Sequence, residues 1–340
     1  MIQWLKLPDE RKTQLLNQAA VKTRFLAHAI EKDWWVTLAL RAVFSTKWQN
    51  NLVFKGGTSL SKAWGLVERF SEDVDLALDR KVLGFPETFV SNAQIRKLRK
   101  KASEFIVSEF LCELEHTLIE MGISTDQFEL SLQETEIEDK DPQVIELGYH
   151  SALEPDAYIT DWVLIEIGAR SLREPSSERE IKTILHDLFP GQSFGGAPFF
   201  VPTVDPKRTF LEKAFLLHEE FQKPTEKIRT TRLSRHLYDL EKLMDTEHAV
   251  AALEDHHFYS AIVDHRQKFN AIRGIDYTLH SPSHINFIPP EVVMGQWQND
   301  YAEMRRSMIY GKSIEFTELM ARLLDLKQRF RKMQYPRPAA

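Results

Sequence analysis

"FKGGTSLSKAWGLVERFSEDVDLAL", Phe54–Leu78, joins a glycine turn to two aspartates spaced two residues apart. The preceding "NLVF" (Asn51–Phe54) is a short apolar run ended by Gly56 and Gly57, the pattern of a buried strand. Thr58 to Leu66 reads as a helix, and "DVDLAL" alternates acidic and apolar residues as a half-buried strand does. On such a strand Asp73 and Asp75 project to one face while Val74 points the other way, into the core. Two carboxylates so placed repel each other unless a positive charge lies between them. A hard divalent cation, Mg²⁺ or Mn²⁺, suits these oxygen ligands. The competing reading is an edge strand carrying two solvated charges. The turn adds a second element. A strand, Gly-Gly-Thr and a helix present backbone N–H groups where a phosphate is well stabilised. Thr58 or Ser59 can add a hydroxyl, and Lys62 follows one turn later. The plain alternative is a tight turn. Neither the Walker A spacing nor Gly-x-Gly-x-x-Gly is present.

Working outward, Leu7 to about Gln49 reads as helical, and "DWWVTLALRAVF" is apolar on several sides. Beyond Leu78, a long helix is expected from about Asn92 to Met121, with Cys112 in an apolar stretch and read as buried. "FELSLQETEIE", "QVIELGYHS" and "DWVLIEIGARS" are strand candidates. "SSEREIKTILHDLF" reads as a helix capped by Ser176–Ser177, and Phe199–Val204 as a short strand among loops. Past Pro206 strand signals fade and helices dominate. The expected fold is α+β, organised as an N-terminal helical segment (1–50), an α/β core (51–205) and a C-terminal helical domain (206–340).

Composition bounds the function. The 340 residues carry a formal net charge of −6, which opposes indiscriminate nucleic-acid coating but leaves room for a local basic face. Gln94–Lys101, Lys227–Arg235 and Lys327–Pro338 are candidates for one, each also readable as a solvated helix surface. No apolar run approaches a membrane span, and Met1–Lys12 lacks the order of a signal peptide. One cysteine excludes an intrachain disulfide and a cysteine-based zinc cluster. A reducing, cytoplasmic setting is the expectation.

Gly-Gly followed by an Asp-x-Asp strand resembles the signature of the DNA polymerase beta-type nucleotidyltransferase superfamily. The longer string "VFKGGTSLSKAW…RFSEDVDLAL" is similar to a narrower group, the AbiEii/AbiGii-type nucleotidyltransferase toxins of toxin–antitoxin and phage-defence systems. The resemblance spans most of Leu26–Asp245; the last third carries none. It implies a mixed-sheet nucleotidyltransferase core with flanking helices. It implies that Gly56, Gly57, Thr58 and Ser59 bind the NTP, and that Asp73 and Asp75 hold the metal. Arg69, just before the aspartates, contacts phosphate or pairs with Glu72. A third superfamily acid sits on a neighbouring strand; Glu166 in "VLIEIG" fits, as metal ligand or general base, against the plainer reading of a surface glutamate. Asp161 is a weaker competitor, at a strand start.

"RTFLEKAFLLHEEF" (Arg208–Phe221) and "RLSRHLYDLEKLMD" (Arg232–Asp245) read as amphipathic helices. On helix geometry alone Lys213 is a snorkelling surface lysine. The resemblance makes it instead the lysine that balances triphosphate charge. "RHLYDL" is similar to a further family motif, giving Asp239 a role in orienting Lys213 or positioning substrate; the alternative is an intrahelical pair with Arg235. His236 reads as structural. "RQKFNAIRGIDY" (Arg266–Tyr277) is either an RNA-stacking segment or a helix end capped at Gly274. The resemblance implies NMP transfer from an NTP to the 3′ end of tRNA by a toxin restrained by a cognate antitoxin. Transfer to a protein hydroxyl, such as AMP onto an enzyme or the antitoxin, and a non-catalytic nucleotide- or partner-binding module are the alternatives.

Overall fold

The computed structural model describes residues 1–23, 25–86, 91–134, 141–155 and 159–333. Among the described residues, seven strands, β1 (Leu52–Lys55), β2 (Asp73–Leu78), β3 (Phe128–Leu132), β4 (Gln143–Tyr149), β5 (Trp162–Gly168), β6 (Ser176–Ile181) and β7 (Phe199–Val204), form one sheet in the order β3-β4-β5-β2-β1-β7-β6. It is mixed: β2 runs parallel to β5 and β1 parallel to β7, while the other neighbours are antiparallel. The central strands are apolar because both faces are covered. Leu52, Val53, Phe54, Val74, Leu76, Ile165 and Ile167 are all buried.

Two compact units divide the chain. The first is Met1–Gly65 with Phe70–Val204; the second is Leu66–Arg69 with the residues from Asp205 onward. The first unit contains α1 (Ile2–Leu5), α2 (Asp9–Lys22), α3 (Ala27–Val43), α4 (Gly56–Lys62), α5 (Asn92–Phe105), α6 (Leu111–Glu120) and α7 (Ile184–Leu188). The second contains α8 (Pro206–Phe221), α9 (Ser234–Leu243), α10 (Glu247–Glu254), α11 (His256–Phe269), α12 (Glu291–Ser307) and α13 (Phe316–Arg331). Asp205 caps α8 by accepting the Lys207 N–H at 2.8 Å, with Pro206 at the first helical position. No helix among the described residues is long and apolar enough to cross a membrane.

Five local expectations are corrected. The N-terminal helical stretch is broken after Lys22, where Thr23 is extended. Its hydroxyl donates to the Ala19 carbonyl at 2.9 Å and accepts the Phe25 N–H, competing with the helix backbone. "SSEREI" is not a helix but the edge strand β6, pairing antiparallel with β7. Its Arg179 lies over the Trp64 ring at 3.9 Å and Ile181 is buried, while Glu178 and Glu180 face solvent, the charge pattern of a protected edge. Thr183, not Ser176–Ser177, caps the short helix that follows. Cys112 is exposed. A π turn at Ile106–Phe110 inserts a residue between α5 and α6, which turns the later side chains by about 100° per residue from a continuous α pattern. The helix expected over Thr58–Leu66 starts at Gly56 and ends at Lys62. The distal part of "FELSLQETEIE" and of the third basic stretch lies outside the described residues.

Candidate active site

β2 brings Asp73 and Asp75 to one face of the sheet, both half-buried, while Val74 and Leu76 are buried on the other. The parallel neighbour β5 pairs Asp75 with Glu166 and Asp73 with Leu164. Residues directly opposite across neighbouring strands share a face, so Glu166 stands beside Asp75, between buried Ile165 and Ile167. On the other side β1 pairs Lys55 with Asp75, and Lys55 Nζ lies 3.7 Å from Asp75 Oδ1. One row across the sheet therefore reads Glu166, Asp75, Lys55. Sequence reasoning misses Lys55 because its importance comes from strand register, which no local pattern encodes.

Gly56 follows Lys55 with φ +78°, a conformation that side chains rarely adopt. A Cβ there would lie 1.9 Å from Asp75 Oδ2 and 2.6 Å from its Cγ. The absent side chain is the space in which the Asp75 carboxylate sits. This is a cradle for one carboxylate, with a second two residues away and a third in register beside it. The donor set, all carboxylate oxygen and part-exposed, fits a hard divalent cation. Among the described residues no three His, Cys, Asp or Glu side chains converge as a closed metal cluster. Mg²⁺ needs no such cage, since it is commonly held by one or two carboxylates together with substrate phosphates.

The rest of the turn is committed internally. Thr58 bonds Ser71 Oγ at 2.8 Å and the Asp73 main-chain carbonyl, and Ser59 donates to the Gly56 carbonyl at 2.9 Å. Thr58 and Ser59 are 1% and 0% exposed. The Thr58 hydroxyl thus ties α4 to β2, and the Ser59 hydroxyl closes back on the first turn of α4. Lys62 pairs with Asp33 and donates to the Lys182 carbonyl at 3.1 Å. These contacts make Lys62 an anchor of α4 to α3.

In the second unit α8, α9 and Leu66–Arg69 build a buried ion cluster. Arg69 donates from Nε and Nη2 to the two Asp239 oxygens, each at 2.7 Å, and Lys213 Nζ lies 2.7 Å from Asp239 Oδ2. His236 Nδ1 is 3.5 Å from Lys213 Nζ. All four are buried, Asp239 completely. Lys213 is therefore not a snorkelling lysine, and Asp239 is not the partner of Arg235 on its own helix. Glu72 pairs with Lys32, and the two-pronged fork of Arg69 is engaged with Asp239. Burial alone would raise the Asp239 carboxyl, but Arg69 and then Lys213 outweigh it and hold it well below the carboxylate range. Burial lowers the Lys213 ammonium against the pull of Asp239, and pushes His236 far down with Lys213 adding to the effect. Leu66–Arg69 is fixed by a bridge from Arg69 to Ile309 and by Glu68, whose carbonyl accepts Tyr310 N–H at 3.1 Å.

Glu166, Asp73, Asp75 and Gly56 thus lie together in the first unit, and Lys213, Asp239 and Arg69 together in the second. Asp161 precedes β5, and its main-chain carbonyl accepts the Tyr149 N–H at 3.0 Å. In "RQKFNAIRGIDY", Arg266 forms a bidentate pair with buried Glu219, Phe269 is buried, and Tyr277 stacks on His280. Those residues are built into their own unit, while Lys268, Ile272 and Arg273 of the segment are exposed. A family model described as "Nucleotidyl transferase AbiEii toxin, Type IV TA system" matches residues 39–322. The match continues well past Asp245 into α13, so the last third is not outside the similarity as expected. No curated protein matches the chain.

Proposed function

The chain belongs to the AbiEii nucleotidyl transferase toxin family of toxin–antitoxin systems, and from that premise we propose that it moves NMP from an NTP to the 3′ end of tRNA. The observation that carries the reading is the register of Asp73 and Asp75 on β2 with Glu166 on β5, with Asp75 seated against Gly56.

In this proposal Asp73 and Asp75 hold Mg²⁺ or Mn²⁺, which when bound neutralises charge on the triphosphate and the leaving pyrophosphate. Gly56 and Gly57 let the backbone approach the phosphates closely. Glu166 accepts the proton of the attacking hydroxyl. A bond forms between that oxygen and the α-phosphorus, the α–β phosphoanhydride breaks, and pyrophosphate leaves. Lys213, oriented by Asp239, is the proposed counter-charge to the triphosphate. A cognate antitoxin restrains the activity.

An RNA acceptor is supported by the exposed face of α5. Arg96, Lys97, Lys100 and Lys101 are exposed while Ile95, Leu98 and Ala102 are buried. In a chain of net charge −6, such a local cationic stripe is what recognition of phosphates requires. Among the described residues the stripe shows only an exposed Lys100–Glu104 pair at 3.9 Å, whereas Arg329 in the third basic stretch is engaged with both Asp245 and Asp325.

Label transfer tests the reading. The purified protein is incubated with Mg²⁺, each α-labelled NTP and total tRNA, beside an Asp73→Asn/Asp75→Asn variant. Label on tRNA that disappears in the variant is the expected result. Label on protein moves the acceptor to a protein hydroxyl, and nucleotide binding with no transfer to any acceptor makes the chain a binding module. Charge reversal of Arg96, Lys97, Lys100 and Lys101 to Glu is expected to raise KM for tRNA and leave KM for the NTP unchanged. It should also flatten the log–log salt dependence of RNA binding by about 0.7–0.9 for each phosphate that the protein no longer neutralises. An unchanged tRNA KM would remove α5 from the acceptor interface.

A further inference from the structure

Three consecutive charged residues near the start of α3, Glu31, Lys32 and Asp33, are 2%, 1% and 8% exposed. Burying an ion costs several kcal/mol even when it is paired, so a run of three demands an account. Each reaches a different part of the first unit. Glu31 accepts the Ser151 hydroxyl at 2.6 Å and the Ala152 N–H at 2.9 Å, in the connection from β4 to β5. Asp33 accepts the Ile184 N–H at 2.8 Å at the start of α7 and pairs with Lys62 of α4. Lys32 pairs with Glu72 and donates to the Thr160 carbonyl at 2.8 Å, with Thr160 Oγ1 at 3.4 Å.

The Lys32 contacts fall at a telling place. Glu72 is the residue before Asp73, and Thr160 lies two residues before β5. β2 and β5 are parallel neighbours, so both enter the sheet at the same end, and one ammonium straddles the two entrances. A strand advances about 3.3 Å per residue, so Asp73 and Asp75 lie within about 10 Å of the Glu72 anchor. We propose that Lys32 is a positioning residue that joins Glu72 to Thr160 and thereby fixes the spacing of Asp73 and Asp75 from Glu166. The inference rests on the reading of Asp73 and Asp75 as the metal-holding pair. A merely structural ion pair would stabilise the unit without tuning the carboxylates.

The test separates these roles. A buried pair can often be replaced by apolar residues with little loss of stability, so Lys32→Met/Glu72→Met is used beside Lys32→Met and Lys32→Arg. Thermal unfolding without metal, Mn²⁺ affinity without nucleotide, and kcat and KM are measured for each. The double variant is expected to melt near the wild type yet bind Mn²⁺ about 10–100-fold more weakly, with kcat reduced by a similar factor. Lys32→Arg is expected to recover most of both. Wild-type Mn²⁺ affinity and kcat in the double variant overturn the inference alone. Equal Mn²⁺ binding by the wild type and by Asp73→Asn/Asp75→Asn overturns the metal reading and the inference together.

Discussion

Asp239→Ala is expected to destabilise the second unit by about 3–5 kcal/mol, the cost of leaving buried cations without their anion. Asp239 is wholly inaccessible, and both oxygens are committed: Arg69 holds them in a fork and Lys213 shares one. Truncation leaves two buried positive groups without their anion. Chemical unfolding of the variant and the wild type measures the difference. The sign with pH follows from the depressed carboxyl. The folded protein takes up this proton in stronger acid than the unfolded chain, whose aspartates titrate near 3.9. The contribution is complete above that value and is lost as pH falls through the folded pKa. In Asp239→Ala this acid component disappears, so the stability gap between the two proteins narrows in strong acid. Replacing all three members with apolar residues of similar volume is expected to restore much of the stability, since the pair energies and the desolvation costs leave together. Transfer activity should not return with it. A restored activity would reduce the cluster to scaffolding.

This cluster marks the limit of what the sequence discloses. Arg69 and Asp239 stand 170 residues apart, and no periodicity links them. Lys213 sits where a helix wheel allows either a snorkelling lysine or a buried one. Only the arrival of Asp239 and Arg69 beside it decides for burial. The carboxylate strand is legible because its information is local: "DVDLAL" alternates with period two, and the observed strand is Asp73–Leu78. Glu166 is legible for the same reason, between apolar neighbours in β5, although its pairing with Asp75 is a matter of register. "SSEREI" misleads because an edge strand needs no apolar alternation. Its polar residues satisfy helix propensity equally well, and pairing with β7 settles the conformation. The hydroxyls of Thr58 and Ser59 read as outward-facing because a glycine turn suggests an open cradle. In the fold Thr58 holds the turn against β2, and Ser59 bonds the Gly56 carbonyl within the turn itself. Lys32 carries no sequence signal beyond a charged triplet near a helix start, which ordinarily reads as a solvated face.

Gly56→Ala is expected to lower transfer by about 10²-fold or more while the protein still folds. Two effects act at this position, and they are separable. The first is conformational: φ is +78°, where alanine is strained and costs more than about 1 kcal/mol. The second is a collision, because the new methyl carbon would stand 1.9 Å from Asp75 Oδ2. Ordinary contact begins near 3.4 Å, so the carboxylate must move by more than an ångström. Displacement on that scale is sufficient for a loss of about 10²-fold in a site that works by placement. Gly65→Ala supplies the control. Gly65 also has positive φ, +62°, but a Cβ there meets nothing within 4 Å. It should share the stability loss and keep near wild-type kcat/KM. The comparison is read by thermal unfolding and by initial rates over a range of Mn²⁺ concentrations. Gly56→Ala should need more metal to reach its lower rate, because the displaced group is the proposed metal ligand; Gly65→Ala should not. If the two variants lose activity equally, backbone strain accounts for both, and the packing of Asp75 against Gly56 has no part in the chemistry.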